Sequence, residues 1–391
     1  MEHKTKEEEE SPVLKITICH VITDLITAGA QMVLFRLLGT CDRQQFEPVV
    51  ISLTDKGTVG PKIEELGIPV WALGMRSSAP NPLKLLKLVS LLREIKPDLV
   101  QTWMYHGDLL GGMAAWRAGK SPVIWGIHNT ALSLGQSKVH TILTRKVCAL
   151  LSGSVPRKIV AVSQASAEVH KKMGYCGEKM VLIPNGTDLD LFQPSLDARE
   201  QVRQELGLPL DIPLIGLVAR WDPQKDHRNF LQAAARILSV RQDVRFVLCG
   251  NDINWENKAL AEMIGPLGIQ PHCHLLGRRE DMHRIYPALD ILVSSSLSEA
   301  FPTVVCEAMA CGVPCVVTDV GDSALIVGDT GRVVPPSDPE SLAKACLETL
   351  ELNPYVRSQL GQSARQRIQN HFSLRIMVER YEALYRQVVA R

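Results

Sequence analysis

No two of the ten cysteines stand as Cys-x-x-Cys; they are scattered singly, several in apolar runs, as Cys19, Cys249, Cys306 and Cys315 are. Nothing in that distribution suggests a disulfide framework, and it fits a reducing compartment. No apolar stretch is long enough to cross a bilayer. Met1 to Glu10 is strongly charged and lacks the apolar core of a secretory leader, so residues 1–10 are expected to be a disordered tail. Neither sign of charge predominates: 43 Lys and Arg against 42 Asp and Glu leave +1, which gives no ground for a nucleic-acid partner. No internal repeat of solenoid period is visible. The location expected from these absences is the cytoplasm.

What is present is an ordinary globular composition, 46% hydrophobic and 22% charged, over 391 residues, a length that suits two domains. The charge is uneven: residues 11–190 carry +7 and residues 191–391 carry −3. A basic first half suggests an anionic partner there, such as a membrane face or a phosphorylated lipid. Short apolar runs alternate with helical patterns. Lys15–Thr23, Pro48–Leu53, Pro69–Leu73, Asp98–Trp103, Val123–Ile127, Lys158–Ser163 and Val181–Ile183 read as strands in the first half. Thr27–Gln31 reads as a small-residue turn before a helix from Met32. Asn81-Pro82 opens a helix to Ile95 with Leu85, Leu86, Val89 and Leu92 on one face. Such alternation implies parallel sheets covered on both faces, with ligands beyond the carboxyl ends of the strands. Asn185-Gly186 is a turn signal, and residues 186–212, with Pro194 and Pro209, are expected to be a linker.

His128 follows the strand Val123–Ile127, a place from which an imidazole can bond a hydroxyl. His106 also follows a strand and reads as a structural histidine, as do His272 and His274, which would share one face of a strand without making a metal site. Basic residues at Lys138, Arg145, Lys146, Lys171 and Lys172 accompany helical patterns that can lie on a membrane. In the second half a buried strand runs to Arg220, and Lys225 follows before a helix near His227. Two cations just past a strand end can clamp a diphosphate. Further on, a strand over Ile291–Val293 leads through a polar turn to Pro302, which opens a helix expected to stop near Gly312. Glu299 lies in the turn and Glu307 on the helix. A helix N-terminus suits phosphate, and carboxylates beside it suit the hydroxyls of a sugar or ribose.

Glu299-Ala-Phe-Pro-Thr-Val-Val-Cys-Glu307, continued by Ala308-Met-Ala-Cys-Gly-Val-Pro314, resembles the Glu-x7-Glu signature of retaining glycosyltransferases of family 4. The resemblance implies an α/β chain with the GT-B fold, two Rossmann-like domains facing across a cleft. It implies an acceptor-side domain over 11–190, a donor domain over 191–372 and a last helix, 373–391, returning to the first domain. It implies that Glu299 lies by the donor sugar, that Glu307 holds the ribose and that Arg278 stands at the depth of the nucleobase. Arg220 and Lys225 match the family's Gly-Arg-x4-Lys, with Ala219 in place of the Gly. His128 would face the donor sugar near the reacting centre. Gly29 belongs to a loop that reads Ala28-Gly29-Ala30-Gln31 where the family has two glycines and an acidic residue. Phe301, Thr303 and Val304 complete the donor set, and the catalytic roles fall to His128, Glu299, Arg220 and Lys225.

The activity implied is metal-independent transfer of a hexose from a nucleotide-sugar, UDP-sugar favoured over GDP-sugar, to a lipid-linked or small sugar acceptor. No cofactor is expected, and no Asp-x-Asp-like cluster stands near the donor motif. Synthesis of cell-surface polysaccharide, lipopolysaccharide or glycolipid is the expected setting, with peripheral contact at the anionic inner face of the plasma membrane. Two rivals are a sugar-nucleotide epimerase on the same fold and a non-catalytic nucleotide-sugar-binding subunit, the latter suggested by the altered Ala28-Gly29 loop.

Overall fold

The computed structural model describes residues 15–75, 82–128 and 139–390. The expected tail, Asn81 and Lys138 lie outside them. The first sheet is built from β1 (Ile16–Ile22), β2 (Phe46–Ser52), β3 (Val70–Ala72), β4 (Leu99–Trp103), β5 (Val123–Ile127), β6 (Lys158–Ala161) and β7 (Met180–Leu182) in the order β3-β2-β1-β4-β5-β6-β7. β1 runs parallel to both β2 and β4. Helices α1 (Gly29–Thr40), α2 (Gly60–Glu65), α3 (Pro82–Ile95), α4 (Met104–Ala118), α5 (Val139–Leu151) and α6 (Gln164–Lys172) alternate with these strands.

The second sheet comprises β8 (Leu214–Val218), β9 (Arg245–Cys249), β10 (Cys273–Leu275), β11 (Ile291–Ser294), β12 (Cys315–Thr318) and β13 (Arg332–Val334), in the order β10-β9-β8-β11-β12-β13. Every pair in it is parallel. Its helices are α7 (Leu196–Glu205), α8 (His227–Val240), α9 (Lys258–Ile264), α10 (Met282–Ala288), α11 (Thr303–Ala310), α12 (Ser323–Val327), α13 (Pro339–Glu351) and α14 (Pro354–His371); α15 (Leu374–Val389) follows, and from Tyr381 on it belongs to the unit of the first sheet. Side chains alternate across a strand, and the core follows that period. Ile215, Leu217, Ile291, Val293 and Val316 pack with α8 and α13 on one face. Leu214, Leu292, Cys315 and Val317 pack with α10, α11 and α14 on the other. A strand buried on both faces must be largely apolar, and these are, save for Ser294 and Thr318 at the carboxyl ends of β11 and β12.

Among the described residues, one compact unit comprises 15–127, 139–160 and 381–390, and the other comprises 128 and 161–380. The expected parallel, doubly covered sheets are therefore present, but several local expectations change. Helix α1 begins at Gly29, so Ala30 and Gln31 belong to its first turn rather than to a preceding loop. Gln31 is buried there, with its Nε2 donating to Asp24 Oδ1 at 2.8 Å. On α3 the buried residues are Leu88, Val89 and Leu92. Leu86 is 61% exposed, because it stands about 100° round the helix from the Leu85, Leu88, Val89, Leu92 stripe. Gly186 makes no left-handed turn; it is needed because a Cβ would sit 2.5 Å from Leu374 Cα. The expected linker holds α7, whose Arg203 side chain is fully buried. His272 ends a short 3-10 turn at Gln270–His272, so it does not share a strand with His274.

Candidate functional site

In the second sheet, β9 and β10 lie to one side of β8 while β11, β12 and β13 lie to the other. The order of connection therefore reverses between β8 and β11, the kind of place where parallel sheets bind ligands beyond their carboxyl ends. The loops leaving those two strands are bonded together. Leu297 N donates to Gln224 O at 2.7 Å. Ser295 Oγ bonds Lys225 O at 2.9 Å and Asp226 O at 3.2 Å. Thr318 Oγ1, at the end of β12, donates to Ser296 O at 2.6 Å.

These bonds bring Lys225 and Glu299 together. Lys225 Nζ lies 2.5 Å from Glu299 Oε1, with the two side chains 20% and 11% exposed. Ser296 Oγ donates to the same carboxylate oxygen at 2.6 Å. The ammonium has three donors, so it can keep this bond and still reach a phosphate oxygen. Arg220 is not part of this pair. It is exposed and donates through Nε and Nη2 to Asp222 Oδ2 at 3.1 and 2.8 Å. Each of the two expected diphosphate cations thus already has a carboxylate partner.

Helix α11 begins beside Glu299. Pro302 is its N-cap and no side chain caps it, so its leading N–H groups, from half-buried Thr303 and Val304, lack an intrahelical acceptor. Its other end is held firmly. Gly312 takes φ +74°, the left-handed conformation that glycine adopts without strain after a helix. The Arg365 guanidinium donates to Ala310 O and, at 2.9 Å, to Phe192 O. Glu307 lies in the second turn, buried, and accepts from Tyr286 Oη–H at 3.0 Å. Burial and the neighbouring Glu307 carboxylate push the Tyr286 phenol well above its usual range, so it stays a donor. Phe301 is buried against Phe372, ring centroids 5.6 Å apart. What it can offer a ligand is therefore its backbone. Arg278 is exposed just past β10, two strands from β8, and pairs with Glu280 at 3.3 Å.

In the first sheet, His128 directly follows β5 and is half-buried; the surrounding protein holds its pKa down to about 4, which keeps it uncharged at neutral pH. Burial, with His140 beside it, brings His106 to about 4 as well. Gly29 opens α1, and a Cβ there would meet nothing within 4 Å. Any need for glycine at that position would come from a ligand rather than from packing. Among the described residues, no group of three or more His, Cys, Asp or Glu is placed to hold a metal ion, and no helix is long and apolar enough to cross a membrane. The sequence reading missed Ser295, Ser296, Thr318 and Tyr286. The Ser294-Ser-Ser run was visible, but the partners of Ser295 lie in the loop after β8 and Thr318, which bonds Ser296 O, ends β12.

A family model described as glycosyl transferases group 1 matches residues 212–352, and one described as glycosyltransferase family 4 matches residues 27–191. A UDP-Gal:alpha-D-GlcNAc-diphosphoundecaprenol alpha-1,3-galactosyltransferase of Escherichia coli is 26% identical, over 96% of this chain and 98% of that protein. A D-inositol 3-phosphate glycosyltransferase of Corynebacterium jeikeium is 33% identical over 53% of this chain, which matches about half (51%) of that relative's length. Among solved structures, Anabaena HepE in complex with UDP and glucose has a TM-score of 0.82 at 22% identity, covering 94% of this chain and 99% of that one. WaaG, a glycosyltransferase involved in lipopolysaccharide biosynthesis, has a TM-score of 0.71 at 16% identity, covering 95% and 99%. Likeness at these identities speaks to the fold.

Proposed function

From the premise that this chain belongs to the group 1 glycosyl transferases of glycosyltransferase family 4 and has their GT-B fold, we propose that it moves a hexose from a UDP-sugar to a lipid-linked or small sugar acceptor, retaining the anomeric configuration. The observation that carries this reading is the Lys225–Glu299 pair beside the uncapped start of α11. In this reading residues 191–372 bind the donor and residues 11–190 the acceptor.

The bond that breaks joins the anomeric carbon to a diphosphate oxygen, and its electron pair leaves with the phosphate. Lys225, a swung-in Arg220 and the α11 amides meet that growing charge without a metal ion. Glu299 orients a sugar hydroxyl, Glu307 accepts from the ribose, Arg278 lies toward the base and uncharged His128 bonds the sugar. The acceptor oxygen forms the new bond on the face the phosphate leaves, and its proton passes to the departing phosphate. UDP is favoured as the carrier because the names of the Escherichia coli relative and of the Anabaena structure both carry it.

UDP should raise the melting temperature, with about 2.7 kcal/mol of stabilisation at a hundredfold excess over its dissociation constant. GDP should do less. Glu307→Ala should weaken UDP about tenfold or more, since it removes a charge-assisted ribose bond. A thermal-shift titration with UDP, GDP and the variant decides this; no response to UDP at millimolar concentration, or equal UDP affinity in the variant, sinks the assignment.

A membrane-borne acceptor calls for peripheral contact. Lys171 pairs with Glu168 at 2.9 Å, so α6 is a poor anchor. Neighbouring α4 and α5 expose Met113, Trp116, Leu143 and Leu150 together with Arg117 and Lys146, and Lys120 is exposed just after α4. The single carboxylate on these two helices, Asp108, is buried. An apolar and basic surface of this kind suits an anionic leaflet. Co-sedimentation with anionic vesicles should fall with added salt and with Leu150→Asp. Equal recovery on neutral and anionic lipid would favour a small soluble acceptor.

A further inference from the structure

Asp322 stands at the start of α12, where an Asp side chain ordinarily caps its own helix, yet it makes no such bond. Its carboxylate serves α6 instead. Oδ2 accepts from Gln164 N at 2.7 Å and Oδ1 from Ala165 N at 2.9 Å. The next amide of α6, Ser166 N, is bonded by Ser163 Oγ at 2.9 Å. Asp322 is 3% exposed, so this is a buried charge on the positive end of a helix, a strong and directional contact.

The backbone on either side of that carboxylate supports the Glu299 loop. Asp322 N donates to Ala300 O at 3.3 Å. Gly321, at φ +57°, lies so close that a Cβ would sit 2.2 Å from Glu299 O. Thr318 Oγ1 completes the support through its bond to Ser296 O at 2.6 Å, and Ser296 in turn bonds the Glu299 carboxylate. The segment after β12 is the floor beneath Glu299, and Asp322 fastens that floor to α6.

We propose that Asp322 is a positioning residue for the transfer reaction: its grip on the first turn of α6 fixes the backbone under Glu299 and, through it, the Lys225–Glu299 pair. Asp322 acts through Glu299, and the inference rests on the reading of Glu299 as the carboxylate that orients the donor sugar.

The test compares transfer kinetics, UDP affinity and melting temperature in four single variants and one double variant. Asp322→Asn keeps the shape but removes the charge and one acceptor. It should lower kcat about tenfold to a hundredfold, the scale expected of a small misplacement, with UDP affinity within about threefold of the parent. Gln164→Pro attacks the same bond from the other side, because proline is tolerated in the first turn of a helix but has no N–H to give. It should lower kcat in the same sense by a smaller factor. Ser163→Ala removes the neighbouring cap of α6 without touching the tether and should leave kcat near the parent value. The decisive arm is Glu299→Gln alone and combined with Asp322→Asn: if Asp322 works through Glu299, the double variant is no slower than Glu299→Gln. Losses that multiply in the double variant, or a Ser163→Ala enzyme as slow as Asp322→Asn, would overturn the inference while leaving the reading of Glu299 intact. A Glu299→Gln enzyme with unchanged kcat would overturn that reading and the inference together.

Discussion

Lys225→Ala should reduce kcat by about two to three orders of magnitude, the usual consequence of removing one donor aimed at developing charge. Two losses combine. In the proposed reaction the departing diphosphate loses a cation at the moment its charge grows. Glu299, only 11% exposed at its side chain, also loses the ammonium 2.5 Å away and keeps Ser296 as its remaining side-chain donor. A carboxylate left in that position will turn toward water or toward another donor, and the sugar it orients will shift. Because the first loss is felt most in the transition state, kcat should fall much more than the donor KM rises. Lys225→Arg should recover little, since a planar fork cannot replace a compact ammonium between a carboxylate and a phosphate. Steady-state kinetics with saturating donor is the measurement. A loss in kcat below about tenfold would remove Lys225 from the chemistry.

The largest effect on stability should come from Arg203→Ala. The guanidinium is fully buried and bonds Asp290 Oδ2 at 2.7 Å. It also donates to the carbonyls of Ala288 at 3.0 Å, Pro209 at 3.0 Å, Leu210 at 3.1 Å and Ile212 at 2.6 Å. Asp290 is shared, accepting from Arg199 at 2.8 Å and from Leu214 N at 2.8 Å where β8 begins. Removing one partner of a buried pair costs about 3–5 kcal/mol; here Asp290 would keep Arg199 as a cationic partner, but several carbonyls would lose this donor as well. The apparent unfolding free energy from a urea titration should fall by that amount. A loss under about 1 kcal/mol, the scale of an exposed pair, would show that the network is replaceable.

The strands and most helices of this chain can be read directly from its apolar runs. α13 over Pro339–Glu351 and the start of α8 at His227 fall where proline, capping residues and periodicity put them. Gly312 ends α11 as expected, and the motif from Glu299 to Glu307 marks the loop and helix at the β8–β11 switch. What was not legible depends on partners distant in sequence. Lys225 and Glu299 are 74 residues apart and Asp322 and Gln164 are 158 apart, and no local period or cap encodes either meeting. Asn185-Gly186 carries the local mark of a turn, yet the glycine is there because Leu374 approaches it. Phe301 is the converse case: its place in the motif puts it in the expected donor set, and its large apolar side chain packs on Phe372, so any contact with the donor would be made by its backbone.

Helix α11 resembles a beam fixed at one end. Its carboxyl end is gripped by Arg365 from α14 and closed by Gly312, whereas its amino end carries no side-chain cap. The amino end, where Thr303 and Val304 stand, therefore has no side-chain restraint of the kind that holds Ala310, and Glu307 lies between the two. If a diphosphate binds there as proposed, the entropy lost in ordering that end would be confined to about one helical turn of backbone, and little of the binding free energy would be needed to still the rest. In that complex small displacements of the phosphate would be followed by the amides proposed to bond it, while the proposed ribose contact at Glu307, nearer the held end, would stay in place.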